Sequence, residues 1–299
     1  MPGLLQTAGG LLERRLLTTA WLPVVLFGVL IGTLTACGAG LARVRHAWHG
    51  LPADLRVLTL VLTVVITVVL AQLLDAARPG LIRLYEGYWN SLPYGDHVAD
   101  RLRQRHEDPV ARAERPWTLP TPGRLMPTRF GNVIRAAEQQ AQRYGMDAVT
   151  AWPRLYVTLP EAFTQHFATA CARLDLMVTI SALGAVFAVC GGGLAAATLP
   201  WYAAPLCGVG GALTCWLGLR AAQRAAFAYG ELVRVAFDVH RWLLLDAIGL
   251  RRPPSYAAEI QQWRQLHQIW QRGSPDADCA RYLGYPEPAP DPAPDRPGT

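Results

Sequence analysis

Three stretches of this 299-residue chain carry no charged side chain at all: residues 16–42, 57–74 and 176–219. Together they hold 89 residues, and the other 210 carry all 50 charges, 28 basic and 22 acidic. About 20 apolar residues in a helix cross the roughly 30 Å hydrocarbon core of a bilayer. The partition therefore points to an all-α integral membrane protein and away from a water-soluble enzyme, a disulfide scaffold or a disordered chain.

The 44-residue stretch is too long for one crossing, and Leu199-Pro200-Trp201-Tyr202 with Pro205 supplies a turn and interfacial aromatics near its middle. Read this way, the chain has four spans, at about 16–41, 57–74, 176–198 and 204–220. The connection between the last two is uncharged, whereas Arg173, Arg220 and Arg224 flank their other ends. The positive-inside rule then places the central region, the C-terminal region and, with an even number of spans, both termini in the cytoplasm. Arg43, Arg45 and Arg56 in the short outer loop run against that orientation.

Residues 1–77 form an N-terminal transmembrane hairpin in this reading, and 78–158 a cytoplasmic central region with a helix at about 129–144. Pro79-Gly80 is expected to bend or end the second span, and residues 91–128, rich in proline and charge, to be irregular. Residues 159–249 make a long helical hairpin. Thr158-Leu159-Pro160-Glu161 has capping-box spacing, so the third span starts in the cytoplasm at 159–175. The fourth continues inward over 221–249, with Ala225, Ala228, Leu232, Val235, Val239, Trp242 and Leu243 as its apolar stripe. Together these extensions form a stalk. Ser255 caps a last helix ending at Gly273, within 250–273. The proline-rich tail 274–299 cannot bury a core.

A net charge of +6 invites a nucleic-acid reading, but it divides as 5 basic against 2 acidic residues over 1–56, 13 against 11 over 57–219 and 10 against 9 over 220–299. No basic face emerges, and every basic residue is Arg, as a GC-rich coding bias would give. No nucleic-acid partner is expected. The six cysteines (Cys37, Cys171, Cys190, Cys207, Cys215, Cys279) form no CxxC pair and read as small apolar residues. His46 and His49 give only an HxxH spacing, so no metal and no cofactor is expected.

Gly28, Gly32, Ala36 and Gly40 recur every four residues in the first span, and Gly210, Thr214 and Gly218 share that register in the fourth. Small residues so spaced let helix backbones approach closely, either within one chain or between copies. Thr59, Thr63 and Thr67 stack on one face of span two, where they line a pore or bond back to their own helix. Asp75 and Asp175 stand at the inner ends of their spans as boundary charges. Leu34-Thr35-Ala36-Cys37 fits a lipobox, which would make Cys37 a lipid anchor.

Pro127-Thr128-Arg129-Phe130-Gly131-Asn132 opens an amphipathic helix with Phe130, Ile134, Ala137, Ala141 and Tyr144 on its buried side, Arg135 and Glu138 paired at i, i+3, and Gly145 as its cap. With Asp147 and Trp152-Pro153-Arg154-Leu155, it resembles an element of a family of bacterial multi-span membrane proteins. The resemblance covers roughly residues 125–160. It implies a bacterial plasma-membrane location and carries over no reaction, ligand or partner. Arg129, Asn132 and Arg135 either dock this helix on the stalk, against helix carbonyls or Glu161 and Glu231, or hold an anionic ligand or lipid head group.

No catalytic motif is present, and the residues read best as a non-enzymatic, self-associating membrane protein. Membrane lipid, further copies of the chain and a cytoplasmic protein are its expected partners, and the threonine stripe adds a pore. The competing reading is a membrane-bound enzyme acting on a lipid or lipid-linked substrate. It requires His166, Glu161 and His240 to converge on one cleft.

Overall fold

The computed structural model describes residues 21–89, 95–106, 120–121, 124–273 and 283–285. Arg14, Arg15, the first residues of the expected span one, Cys279 and most of the proline-rich tail lie outside them. The described chain is all-α. Its helices are α1 (Leu22–Ala39), α2 (Leu41–Gly50), α3 (Ala53–Glu86), α4 (Gly95–His106), α5 (Arg129–Gln140), α6 (Ala148–Tyr156), α7 (Glu161–Thr198), α8 (Ala203–Ala247) and α9 (Tyr256–Arg272). A 3₁₀ turn, Ala141–Tyr144, prolongs α5.

Among the described residues three helices are long and apolar enough to cross a membrane, namely α1, α3 and α7. The expectation of four is corrected. The stretch 204–220 is helical within α8, yet it falls short in hydropathy: Pro205, Gly208, Gly210, Gly211, Thr214, Trp216 and Gly218 replace the Leu, Val and Ile that fill the other spans. Freedom from charge is a weaker condition than apolarity.

Three further expectations change. Pro79 does not stop the second span, because α3 continues through it for 34 residues, about 51 Å at 1.5 Å per residue. It ends instead at Gly87, whose φ of 100° is left-handed. The loop after the first span is the helix α2, set off by Gly40 at φ 88°. Within 91–128, residues 95–106 are helical.

The chain divides into two compact units, Met1–Ile134 with His166–Tyr229, and Arg135–Gln165 with Gly230–Thr299. In the first, Phe130, Val133 and Ile134 of α5 meet Leu174 and Val178 of α7 and Ala222 and Ala226 of α8, with Leu81, Ile82 and Tyr85 of α3 against them. Phe27 of α1 packs edge-on to Phe187 of α7, with ring centroids 6.4 Å apart.

Between α7 and α8 the backbones nearly touch. A methyl group at Gly184 would lie 2.6 Å from the Cys215 amide nitrogen, one at Gly211 2.5 Å from that of Ala188, and one at Gly218 2.8 Å from that of Ser181. Only glycine allows this approach.

In the second unit, α9 starts where Ser255 accepts the Ala258 amide and ends at left-handed Gly273. Asp147 caps α6 by accepting the Thr150 amide and hydroxyl. Leu155, Phe237, Leu244, Leu245 and Trp263 form its buried apolar interior. The stripe expected on α8 is displaced here: Val235, Val239 and Trp242 are exposed, while Val233, Ala236, Phe237 and Leu244 are buried. In an alanine-rich helix that is apolar on several sides, periodicity fixes the face poorly.

Candidate functional site

Two polar clusters stand out, one in each unit. In the first unit the end of α3 carries Asp75 and Arg78 one turn apart. The Arg78 guanidinium lies 3.0 Å from Asp75 and 3.8 Å from Asp175 of α7; Arg78 and Asp175 are largely shielded, and Asp75 is partly exposed. One cation thus neutralises two carboxylates where apolar stretches end, which ties α3 to α7 at a fixed depth. Two turns further along α3, the Tyr85 hydroxyl donates to Ser181 Oγ at 2.8 Å, and Ser181 donates to the Cys215 carbonyl at 2.8 Å. That relay joins α3, α7 and α8 through hydrogen bonds inside an apolar environment, where unpaired polar groups are costly.

The motif residues close the same end of α3. Thr128 Oγ1 caps α5 by accepting the Gly131 amide at 2.9 Å, and its own hydroxyl donates toward the Tyr85 and Glu86 carbonyls at 2.7 and 2.9 Å. One side chain therefore serves the first amides of one helix and the last carbonyls of another. Gly131 permits the contact, since a methyl group there would lie 2.2 Å from the Glu86 oxygen. Buried Asn132 grips Met126 on both sides, with Oδ1 accepting from its amide at 2.7 Å and Nδ2 donating to its carbonyl at 3.1 Å.

In the second unit, buried Glu259 accepts at Oε1 from Arg241 Nε at 2.6 Å, Trp242 Nε1 at 2.9 Å and Trp263 Nε1 at 3.4 Å. Burial alone would raise this carboxyl, but the three donors outweigh it and hold the group below its ordinary value. Glu259 is thus a carboxylate at neutral pH and a poor proton donor. The Arg241 guanidinium also stacks on Tyr144 at 4.0 Å. Tyr144 donates to Asp238 at 2.9 Å, and burial and this bond push its phenol up. Arg154 covers the Trp270 ring at 4.6 Å.

The residues singled out from sequence do not assemble into one site. Arg129 is exposed, Asn132 is spent on Met126, and Arg135 pairs with Glu138 at 3.3 Å. Glu161 accepts from Gln165, and Glu231 pairs with Arg234 at 2.8 Å. Thr59, Thr63 and Thr67 each donate to the carbonyl four residues earlier, at 2.7, 2.8 and 2.8 Å, on an exposed face of α3. Gly28, Gly32 and Gly210 have open space where a side chain would be, Ala36 is half-buried, Gly40 breaks the helix and Gly218 is packed on α7. The Thr214 hydroxyl donates to the Gly210 carbonyl at 2.8 Å.

Of the acid–base candidates, His166 is exposed, Glu161 is taken by Gln165, and His240 packs edge-on against Phe163. Among the described residues no group of three His, Cys, Asp or Glu side chains is placed to hold a metal ion.

Sequence reading missed Arg78 with Asp175, Tyr85 with Ser181, and Glu259 with its three donors. The one local signal was the i, i+3 spacing of Asp75 and Arg78, which says nothing of their partner on α7. No family model, curated protein or solved structure matches the chain.

Proposed function

We propose that the chain is a self-associating integral membrane protein whose charged helical region serves a protein partner in the cytoplasm. The observation that carries the reading is how little of α1 and α3 is covered. Their most apolar windows are 11% and 6% buried, against 33% for α7. Along α3, Val57, Leu58, Leu60, Val61, Leu62, Val64, Val65 and Ile66 are all exposed. Lipid can cover such surface, but the open small-residue face at Gly28 and Gly32 suits a second helix backbone better than an acyl chain. The scaffold has no need of a pore in this reading. The exposed Val235, Val239 and Trp242 lie at i, i+4 and i+7 on α8, the spacing by which a helix offers an apolar strip to a partner.

The test is the mass of the protein in detergent and in nanodiscs by light scattering. A dimer or larger species is expected for the wild type, and a monomer for the Gly28→Leu, Gly32→Leu double variant. A monomeric wild type at all protein-to-detergent ratios would refute self-association.

A further inference from the structure

A cavity of about 390 Å³ opens in the first unit between α1, α7 and α8. Leu26 and Leu30 of α1, Ile180 and Leu183 of α7, and Gly210 and Thr214 of α8 are among the residues that line it. We propose that it holds one hydrocarbon chain of an anionic phospholipid whose phosphate rests on Arg173. The site requires α1 and α7 to lie in a bilayer but does not require the chain to self-associate.

The lining selects hydrocarbon over water. Every lining residue comes from the uncharged stretches 16–42 and 176–219, and the one hydroxyl among them, that of Thr214, already donates to the Gly210 carbonyl at 2.8 Å. A trapped water needs two or more polar partners, so a cavity of this kind is filled by carbon or stays empty. The gap exists because Gly210 supplies no side chain to close it: a methyl group there would meet nothing within 4 Å. Its volume falls within the roughly 300–1,000 Å³ of small-ligand sites. A second copy of the chain is offered a different surface. Leu26 and Leu30 face the cavity, while Gly28 and Gly32 lie on the opposite side of α1, with open space where side chains would be.

The charge requirement comes from Arg173. Seven residues, close to two turns, separate it from Ile180, which puts both on one face of α7 with the arginine about 10 Å nearer the start of the helix. Arg173 is exposed and stands three residues before the uncharged stretch begins. Asp175 beside it is committed to Arg78, and among the described residues no carboxylate pairs with Arg173. Head groups extend about 5–7 Å beyond the hydrocarbon on each side of a bilayer, and the long stem of an arginine lets its guanidinium reach that layer. A chain seated in the cavity therefore brings its phosphate within range of Arg173, whose planar fork matches phosphate oxygens. A zwitterionic head group would bring its own ammonium next to this cation, with no free carboxylate to receive it, so the anionic head group is favoured.

The full chain in neutral detergent is titrated with phosphatidylglycerol and with phosphatidylcholine, and bound lipids are counted per chain by native mass spectrometry. Wild type is expected to retain one phosphatidylglycerol in preference to phosphatidylcholine. Arg173→Gln weakens phosphatidylglycerol binding about tenfold, the loss of one charge-assisted hydrogen bond, and removes the preference. Gly210→Leu fills the cavity from a position where its Cβ touches nothing, and abolishes the bound lipid. Arg220→Gln is the control, since Arg220 is exposed but stands nine residues past Gly211, on the opposite side of α8. It retains the lipid, and so does the Gly28→Leu, Gly32→Leu double variant, which separates this site from self-association. Lipid loss in that double variant would put the lipid at a seam between copies and overturn the proposal. So would a wild type without preference, unchanged affinity in Arg173→Gln, or full retention by Gly210→Leu.

Discussion

Replacing Gly131 with alanine tests the joint between α3 and α5. In an ordinary helix interior this change stabilises by about 1 kcal/mol, because alanine is the better helix former. Here the new methyl carbon would sit 2.2 Å from the Glu86 carbonyl oxygen, 2.9 Å from its carbon and 3.0 Å from Met126 Cβ, where ordinary contact begins at 3.4 Å. The obstacle is backbone, which cannot rotate aside as a side chain would. To restore contact distance, α5 must retreat from the end of α3 by roughly the difference between 2.2 and 3.4 Å.

That retreat stretches the hydrogen bond that the single Thr128 hydroxyl proton shares between the Tyr85 and Glu86 carbonyls, worth about 1 kcal/mol. It also loosens Phe130, which is fully buried against Tyr85. Overpacking of this kind costs about 1–3 kcal/mol. With the bond loss added and the helix gain subtracted, Gly131→Ala should destabilise by about 1–3 kcal/mol. Gly80→Ala is the matched control, a helical glycine with nothing within 4 Å of the added methyl. The assay is SDS titration of detergent-solubilised protein followed by tryptophan fluorescence. If Gly131→Ala unfolds at the same SDS fraction as Gly80→Ala, the close approach of α5 to α3 is wrong.

Arg78→Leu leaves Asp75 and Asp175 facing each other without their shared cation, and should cost about 3 kcal/mol in the same titration. Adding Asp75→Asn to it should recover part of the loss, and no recovery would show that Arg78 acts through packing alone. At Glu259 the folded-state carboxyl lies below its ordinary value of 4.5. Its stabilisation is therefore present above pH 4.5 and lost as pH falls through the lowered value. Glu138 has the opposite sign, because burial raises its carboxyl despite Arg135, so its contribution is greater in acid and declines as pH rises through the raised value. Glu259→Gln should flatten the acid limb of a thermal-stability profile and lower the neutral plateau by about 2 kcal/mol. An unchanged acid limb would remove Glu259 from the account.

Local signals carried well from sequence to structure. Ser255 and Gly273 bracket α9, Gly145 ends the turn after α5 at φ 79°, and Arg135 meets Glu138, because each depends on neighbours within one helical turn. Pro79 misled because a proline removes only one amide donor from the helix, and the bonds of the turns on either side carry α3 on to Glu86. The cluster of the first unit was illegible for another reason. Asp175 lies 97 residues beyond Arg78, and Ser181 lies 96 beyond Tyr85, so nothing in local spacing announces either meeting. The unfilled Gly28 and Gly32 stand between these cases: their spacing was plain in the sequence, but only the structure shows that no part of the same chain fills the space.

The glycine contacts between α7 and α8 have a consequence for assembly. Gly184 with Cys215, Ala188 with Gly211 and Ser181 with Gly218 are all centred on one point, between Leu199 and Pro200. The pairs are nested like rungs of a zipper that closes outward from the turn, each bringing the next into reach without a search over distant chain. The turn is then a counting device. One extra residue in it would rotate α8 by about 100° against α7, turning the glycines away and presenting their bulkier neighbours. A single-residue insertion there should do more harm than many substitutions along either helix.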